Sequence, residues 1–148
     1  MPAVTDEELV ERFPDVVITD DNKAFYGGWT DQELLLNRCA DCGTWHHPPQ
    51  PICPECWSSR VEPTPVSGHG TVHLLIWLRQ GPPADGVDYS TPHPVATVEL
   101  VEQPGLRFTS TVTGVAPGEL AIGDTVELTW TERNGEPYPV FVRSAAQR

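Results

Sequence analysis

Cys39-Ala-Asp-Cys42 and, ten residues on, Cys53-Pro-Glu-Cys56 hold all four cysteines of the chain. Two C-x-x-C pairs bring four thiolates to one tetrahedral ion, at Zn–S distances of about 2.3 Å. Four sulfurs close the coordination shell, whereas a catalytic zinc keeps one position open for water, so the zinc chemistry implied is structural. The same sulfur cage also takes iron. Thioredoxin-type redox chemistry would need one C-x-x-C at a helix start rather than two facing pairs.

Other reactive residue types are scattered. His46 and His47 follow the first knuckle and read as surface strand histidines, because four cysteines leave no ligand position for them. Ser67-Gly-His-Gly70 matches neither a nucleophile elbow nor a phosphate loop. Its glycines read as permitting a bulge or a close backbone approach. His73, Tyr89 and His93 have no partner spacing that makes a catalytic set. No catalytic residue is assigned, and the chain is not expected to be an enzyme on its own.

The chain has 148 residues, a formal charge of −12 and nine basic residues. Four thiolates around Zn²⁺ add a further charge of about −2. Nucleic-acid binding rests on cationic side chains that release counterions, so this balance opposes it, and it disfavours an anionic membrane surface as well. No apolar run reaches the roughly 18 residues of a membrane span. The start Met1-Pro-Ala-Val-Thr-Asp-Glu-Glu is acidic, the reverse of a signal peptide. A cytoplasmic protein is expected, which suits metal thiolates better than disulfides.

The elements that must position the cysteines follow from pattern. Sixteen prolines and twelve glycines favour short strands and turns. Thr5 and Glu8 have capping-box spacing, which predicts a short helix that stops before Pro14. A second helical stretch is expected over Asp20–Trp29, with Phe25, Tyr26 and Trp29 as its aromatic face. These helices read as packing on the domain or as docking a partner. Leu34–Leu36 leads into Cys39 and Trp45–His47 leaves Cys42, which predicts a hairpin with a metal knuckle at its tip, a rubredoxin-like zinc ribbon.

After Pro65 the period becomes two. Runs at Thr71–Leu78, Val95–Val101, Leu106–Val115, Thr125–Trp130 and Tyr138–Val142 predict five strands, for which an OB-fold barrel is the natural closed solution. Ala96, Val98 and Leu100 share one face, as do Val126, Leu128 and Trp130. Gly118–Gly123 is too short for a full helix and reads as a turn. Arg79–Pro94 is a long loop between the first two strands, a place where OB-folds bind ligands. The expected fold is therefore mainly β, in three parts: N-terminal short helices over residues 1–33, the zinc ribbon over 34–62 and the five-stranded barrel over 63–148.

Arg38-Cys-Ala-Asp-Cys-Gly43, Pro48-Pro-Gln-Pro-Ile-Cys-Pro54 and Val66-Ser-Gly-His-Gly-Thr-Val72 resemble the DUF35 family. Pro94–Leu100, Ile122–Val126 and Pro139–Phe141 extend the resemblance over most of the chain. It implies an OB-fold with a rubredoxin-like zinc ribbon, associated with acyl-CoA metabolism. It further implies an accessory subunit, required by a thiolase-superfamily partner such as a lipid-transfer-type thiolase or an aldolase of steroid side-chain breakdown. Such a subunit would help bind or channel the acyl-CoA. Gln50 and His69 stand where relatives often carry arginine.

The ligand residues expected on this reading are Arg79, Tyr89, His93 and Arg107, and the metal ligands are Cys39, Cys42, Cys53 and Cys56 around structural Zn²⁺. An acidic chain binds anionic CoA poorly alone, so the site is expected to be shared with a partner that supplies positive charge. The alternatives are a nucleic-acid-binding OB/zinc-ribbon module and an iron electron-transfer protein.

Overall fold

The computed structural model describes residues 4–144, which divide into two compact units between Val66 and Ser67. The first begins with α1 (Asp6–Arg12). The Thr5 hydroxyl accepts from the Glu8 N–H at 3.2 Å while the Glu8 carboxylate accepts from the Thr5 N–H at 3.1 Å. Two otherwise orphaned donors are thus satisfied, and Asp6, Glu7 and Glu8 sit at the positive end of the helix dipole. The helix ends at Phe13, ahead of Pro14, as its capping-box start and proline stop predict.

The second helix, α2, spans Lys23–Thr30. It starts later than the expected Asp20 because Thr19 and Asn22 bond each other reciprocally. The Asn22 side chain accepts from the Thr19 N–H at 2.8 Å, and the Thr19 hydroxyl accepts from the Asn22 N–H at 3.3 Å. That side-chain pairing holds a turn where the helix would otherwise begin. Its aromatic face is real. Tyr26 lies 4.9 Å from Trp29 and 5.4 Å from Phe13 between ring centroids, and Phe25 lies 5.1 Å from the His47 ring.

The first unit's sheet has three strands: β1 (Leu35–Cys39), β2 (Trp45–His46) and β3 (Val61–Pro65), in the order β2-β1-β3. β1 and β2 form the expected hairpin, with Arg38 opposite Trp45. β3 has no counterpart in the sequence pattern. Two prolines in Val61-Glu-Pro-Thr-Pro65 argue against a strand, but an edge strand tolerates them because one side needs no donors.

The second unit is a five-stranded antiparallel sheet: β4 (His69–Leu78), β5 (His93–Leu100), β6 (Arg107–Ser110), β7 (Thr125–Arg133) and β8 (Glu136–Arg143), in the order β6-β5-β4-β7-β8. On β5, Pro94, Ala96, Val98 and Leu100 are buried in strict alternation. β7 turns into β8 through Asn134-Gly135, both at positive φ, the geometry of a tight two-residue hairpin. Residues 116–124 form turns, as expected of the short Gly118–Gly123 stretch.

The third run splits. After Ser110 the chain leaves β5 and reaches across to β8, where Val112 makes a parallel bridge to Phe141. The Thr113 N–H donates to the Phe141 carbonyl at 2.8 Å and the Phe141 N–H to the Thr111 carbonyl at 3.0 Å. This seam joins the two ends of the sheet in the manner of an OB-fold. Gly70 shows why the entry to the barrel is glycine-rich. A Cβ there would lie 2.5 Å from Val98 Cγ1 and 2.6 Å from the Glu99 carbonyl oxygen, so β4 and β5 cross at a distance only glycine allows.

Candidate metal centre

Cys39 closes β1 and Cys42 follows one turn later. The Cys39 N–H donates to the Thr44 carbonyl at 2.9 Å, and the Gly43 N–H returns to the Cys39 carbonyl at 2.9 Å. The second knuckle repeats this pattern. The Cys53 N–H donates to the Ser58 carbonyl at 2.9 Å, and the Trp57 N–H to the Cys53 carbonyl at 3.0 Å. In each turn a backbone N–H also points at the first sulfur, from Cys42 to Cys39 Sγ at 3.5 Å and from Glu55 to Cys53 Sγ at 3.4 Å. The donor from Cys42 holds the Cys39 thiol below its ordinary value.

The two knuckles face each other. Cys39 and Cys56 sulfurs lie 3.6 Å apart, Cys42 and Cys53 sulfurs 3.6 Å apart, and all four lie within 4.8 Å of one another. Sulfurs at the corners of a tetrahedron around zinc, each about 2.3 Å from the metal, are about 3.8 Å apart. A disulfide would hold its sulfurs near 2.05 Å. The donor set and its spacing therefore fit a zinc ribbon, with Cys39 and Cys53 buried and Cys42 and Cys56 at the surface.

Without metal the four thiols compete for protons. The Thr44 hydroxyl, 3.2 Å from Cys42 Sγ, and the Thr44 backbone pull Cys42 down to about 6. At Cys56 the backbone hydrogen bond with Ser58 pulls down as well, but the sulfurs of Cys39, Cys42 and Cys53 together with burial outweigh it and push the thiol up to about 12. Zn²⁺ held by Cys39, Cys42, Cys53 and Cys56 would end the competition, since a coordinating thiol is deprotonated.

The knuckles are also tied together outside the sulfurs. Arg60 Nη1 bonds Asp41 Oδ1 at 2.7 Å, and the Ser58 hydroxyl donates to the other Asp41 oxygen. Cysteine spacing says nothing of this cross-tie. Only the fold brings Asp41 of one knuckle to Ser58 and Arg60 beyond the other.

The histidines differ from expectation. His46 is buried rather than exposed, with Nε2 3.4 Å from Asn37 Nδ2. His47 stacks on Phe25, and burial together with the charge of His46 holds it well below its ordinary value, at about 4. Neither joins the sulfur cluster. The aromatic face of α2 covers this edge of the hairpin, which a strand pattern of two residues cannot reveal.

The expected ligand residues fall in two places. Tyr89 and His93 lie together near the end of the long loop, their rings 6.1 Å apart, and Arg79 directly follows Leu78, which pairs with His93. Tyr89 donates from its hydroxyl to the Pro82 carbonyl at 3.1 Å. Arg107 stands opposite Glu99, six residues further along β5 and about 20 Å from His93 at strand spacing. It pairs with the Glu99 carboxylate at 3.6 Å.

His93 borders a cleft of about 350 Å³ at the end of the barrel, together with Asp85, Thr111, Thr113 and Arg133. The loop is anchored there by Asp85, which accepts from the Asn134 N–H at 2.9 Å. Arg133 is absent from the sequence-based set. Its signal is the Asn134-Gly135 turn, which places it at a hairpin tip beside the loop.

Residues 27–62 match the family described as ChsH2, rubredoxin-like zinc ribbon domain, and residues 63–131 match that described as ChsH2, C-terminal OB-fold domain. The chain is 36% identical over 130 residues to a protein of Thermomonospora curvata described as "Probable enoyl-CoA hydratase alpha subunit", and that match spans 86% of this chain but only 39% of the relative. It is 35% identical to a DUF35 domain-containing scaffold protein of Methanothermobacter thermautotrophicus over 64% of this chain and 69% of the relative. Among solved structures it is similar to a chain of an Ltp2-ChsH2(DUF35) aldolase, with a TM-score of 0.76 and 34% identity, covering 86% of this chain and 98% of that one. A DUF35 protein of unknown function from Sulfolobus solfataricus shares the fold, at a TM-score of 0.55 and 15% identity over 80% of this chain and 83% of that one. With a zinc-ribbon cysteine cluster, an OB-fold sheet and these relatives, the chain belongs to the DUF35 family.

Proposed function

We propose that this chain is a non-catalytic accessory subunit of a thiolase-like, acyl-CoA-processing enzyme, an acyl-CoA retro-aldolase or a thiolase. The observation that carries the reading is its likeness, along 98% of the matched chain, to the ChsH2(DUF35) component of an aldolase. The chemistry of the chain is consistent with it. Its metal site is a cage of four sulfurs, which leaves no coordination position open for water.

The acyl-CoA is shared with the partner in this reading. Arg79, Tyr89 and His93 at the loop end of the barrel contact it, whereas Arg107, held by Glu99 far along β5, contributes charge at a distance. A chain with a formal charge of −12 requires the partner to supply most of the cations that meet CoA phosphates.

The test is co-expression with the thiolase-like protein of the same organism. A stable hetero-oligomer is expected, with acyl-CoA turnover by that enzyme dependent on this chain and CoA binding seen for the complex but not for this chain alone. A thiolase-like enzyme that does not co-purify, or that works equally well alone, would sink the reading.

A further inference from the structure

The two zinc knuckles are the same turn, with a glycine in one and a tryptophan in the other at the same place. In the first, the residue after the second cysteine is Gly43, at φ +77°. In the second it is Trp57, at φ +64°, making the same N–H bond to the carbonyl of the first cysteine, four residues back. Left-handed backbone is free to glycine and costly to a residue with a Cβ, most of all to a bulky one. A structural tryptophan offsets such a cost by burial, but Trp57 is 81% exposed, and Ile52, beside Cys53, is 50% exposed. The fold thus holds a strained backbone in order to present a large apolar side chain to solvent.

We infer that Trp57, with Ile52 beside it, is the anchor by which the zinc ribbon docks into an apolar socket with a basic rim on the partner enzyme. The inference rests on the proposed function for the identity of that enzyme. Tryptophan is among the side chains most enriched at the hot spots of protein interfaces. The rim chemistry follows from charge. The tip carries Glu55, Asp41 and four sulfurs that would hold one dication as thiolates; of its two arginines, Arg60 is bound to Asp41 and Arg38 is turned to the Gly43 carbonyl and the Trp45 ring of the first knuckle. A second copy of this chain would set two such acidic tips against each other, and an anionic membrane would repel the tip as well.

Trp57→Gly tests this, because glycine is the residue that the turn prefers. Zinc content, thermal unfolding and binding to the co-expressed thiolase-like enzyme are measured on wild type, Trp57→Gly and Trp57→Phe. The expected result is unchanged zinc and an equal or higher unfolding temperature for Trp57→Gly, with partner affinity at least tenfold weaker, and partial retention of affinity in Trp57→Phe. If wild type binds the enzyme and Trp57→Gly binds it equally well, the anchor is wrong and the accessory-subunit reading stands. If wild type does not bind the enzyme, that reading falls and the anchor falls with it. Loss of zinc or of stability in Trp57→Gly would make Trp57 structural. A Trp57-dependent dimer in sedimentation, or Trp57-dependent binding to phosphatidylcholine vesicles, would replace the enzyme as occupant and overturn the assignment.

Discussion

The ribbon and the barrel are both antiparallel sheets, yet they are held by different forces. β1 is the one central strand of the ribbon, β2 has two residues, and β3 is a proline-bearing edge. Its buried side chains include Leu34, Leu36 and Trp45, and the sulfurs of Cys39 and Cys53 stand among them. The barrel instead buries a continuous ladder: Val72, Ala96, Val98, Leu100, Phe108, Val112, Val126, Val140 and Phe141. A three-stranded sheet with so short an edge relies on the helix packed against it and on coordination bonds at its knuckles, whereas the barrel draws on its own ladder alone. Each region should then fail under a different insult.

The largest effect should come from the metal. Cys39→Ala, or chelation, removes a binding free energy on the order of 10 kcal/mol from the ribbon. Amide resonances of residues 34–65 should collapse while β4 to β8 keep their dispersion, and ribbon signals that stay intact without zinc would erase the contrast. Next comes Phe141→Ala, at a side chain with no exposure, which should cost about 3–5 kcal/mol in urea unfolding. Zinc content should not change, and zinc loss in this variant would show that the two regions are not energetically separate.

The finest distinction is one of pH. The unfolded chain protonates His47 near 6.5, while in the fold burial and then the charge of His46 delay that to about 4. The unfolded state therefore binds more protons between these values, and stability falls as pH falls through this window, by at most about 3 kcal/mol. His47→Gln removes this contribution. In zinc-saturated urea melts at pH 7 and 4.5, the ribbon of wild type should lose more stability than that of the variant. Parallel losses would mean that His47 is not a pH-sensitive part of the ribbon.

What the sequence declares and what it hides follow the same division. Cysteine spacing reports a metal cage because the cage imposes its geometry on the spacing itself. Alternation over Val95–Val101 reports a barrel strand because one face must be apolar. The capping box at Thr5 is legible because both of its bonds are local. β3 is hidden because it tolerates its two prolines only as the edge strand beside β1, and nothing local records that position. The run at Leu106–Val115 reads as one strand because its apolar residues do not mark where the chain changes partners after Ser110. The burial of His46 depends on helix packing that lies outside the strand, and the strain at Trp57 becomes visible only when the second knuckle is laid over the first.

The seam between Val112 and Phe141 has a consequence for motion. Two backbone bonds close it, whereas β4 and β5 share a ladder of eight residue pairs. Thr111, Val112 and Thr113 on one side and Val140 on the other all line the cleft beside His93. The parting line of the barrel thus runs through the wall of the cleft. Parting it breaks fewer backbone bonds than parting β4 from β5, so its amides are expected to exchange ahead of that ladder. Opening along that line would widen the cleft while leaving the β4–β5 ladder intact.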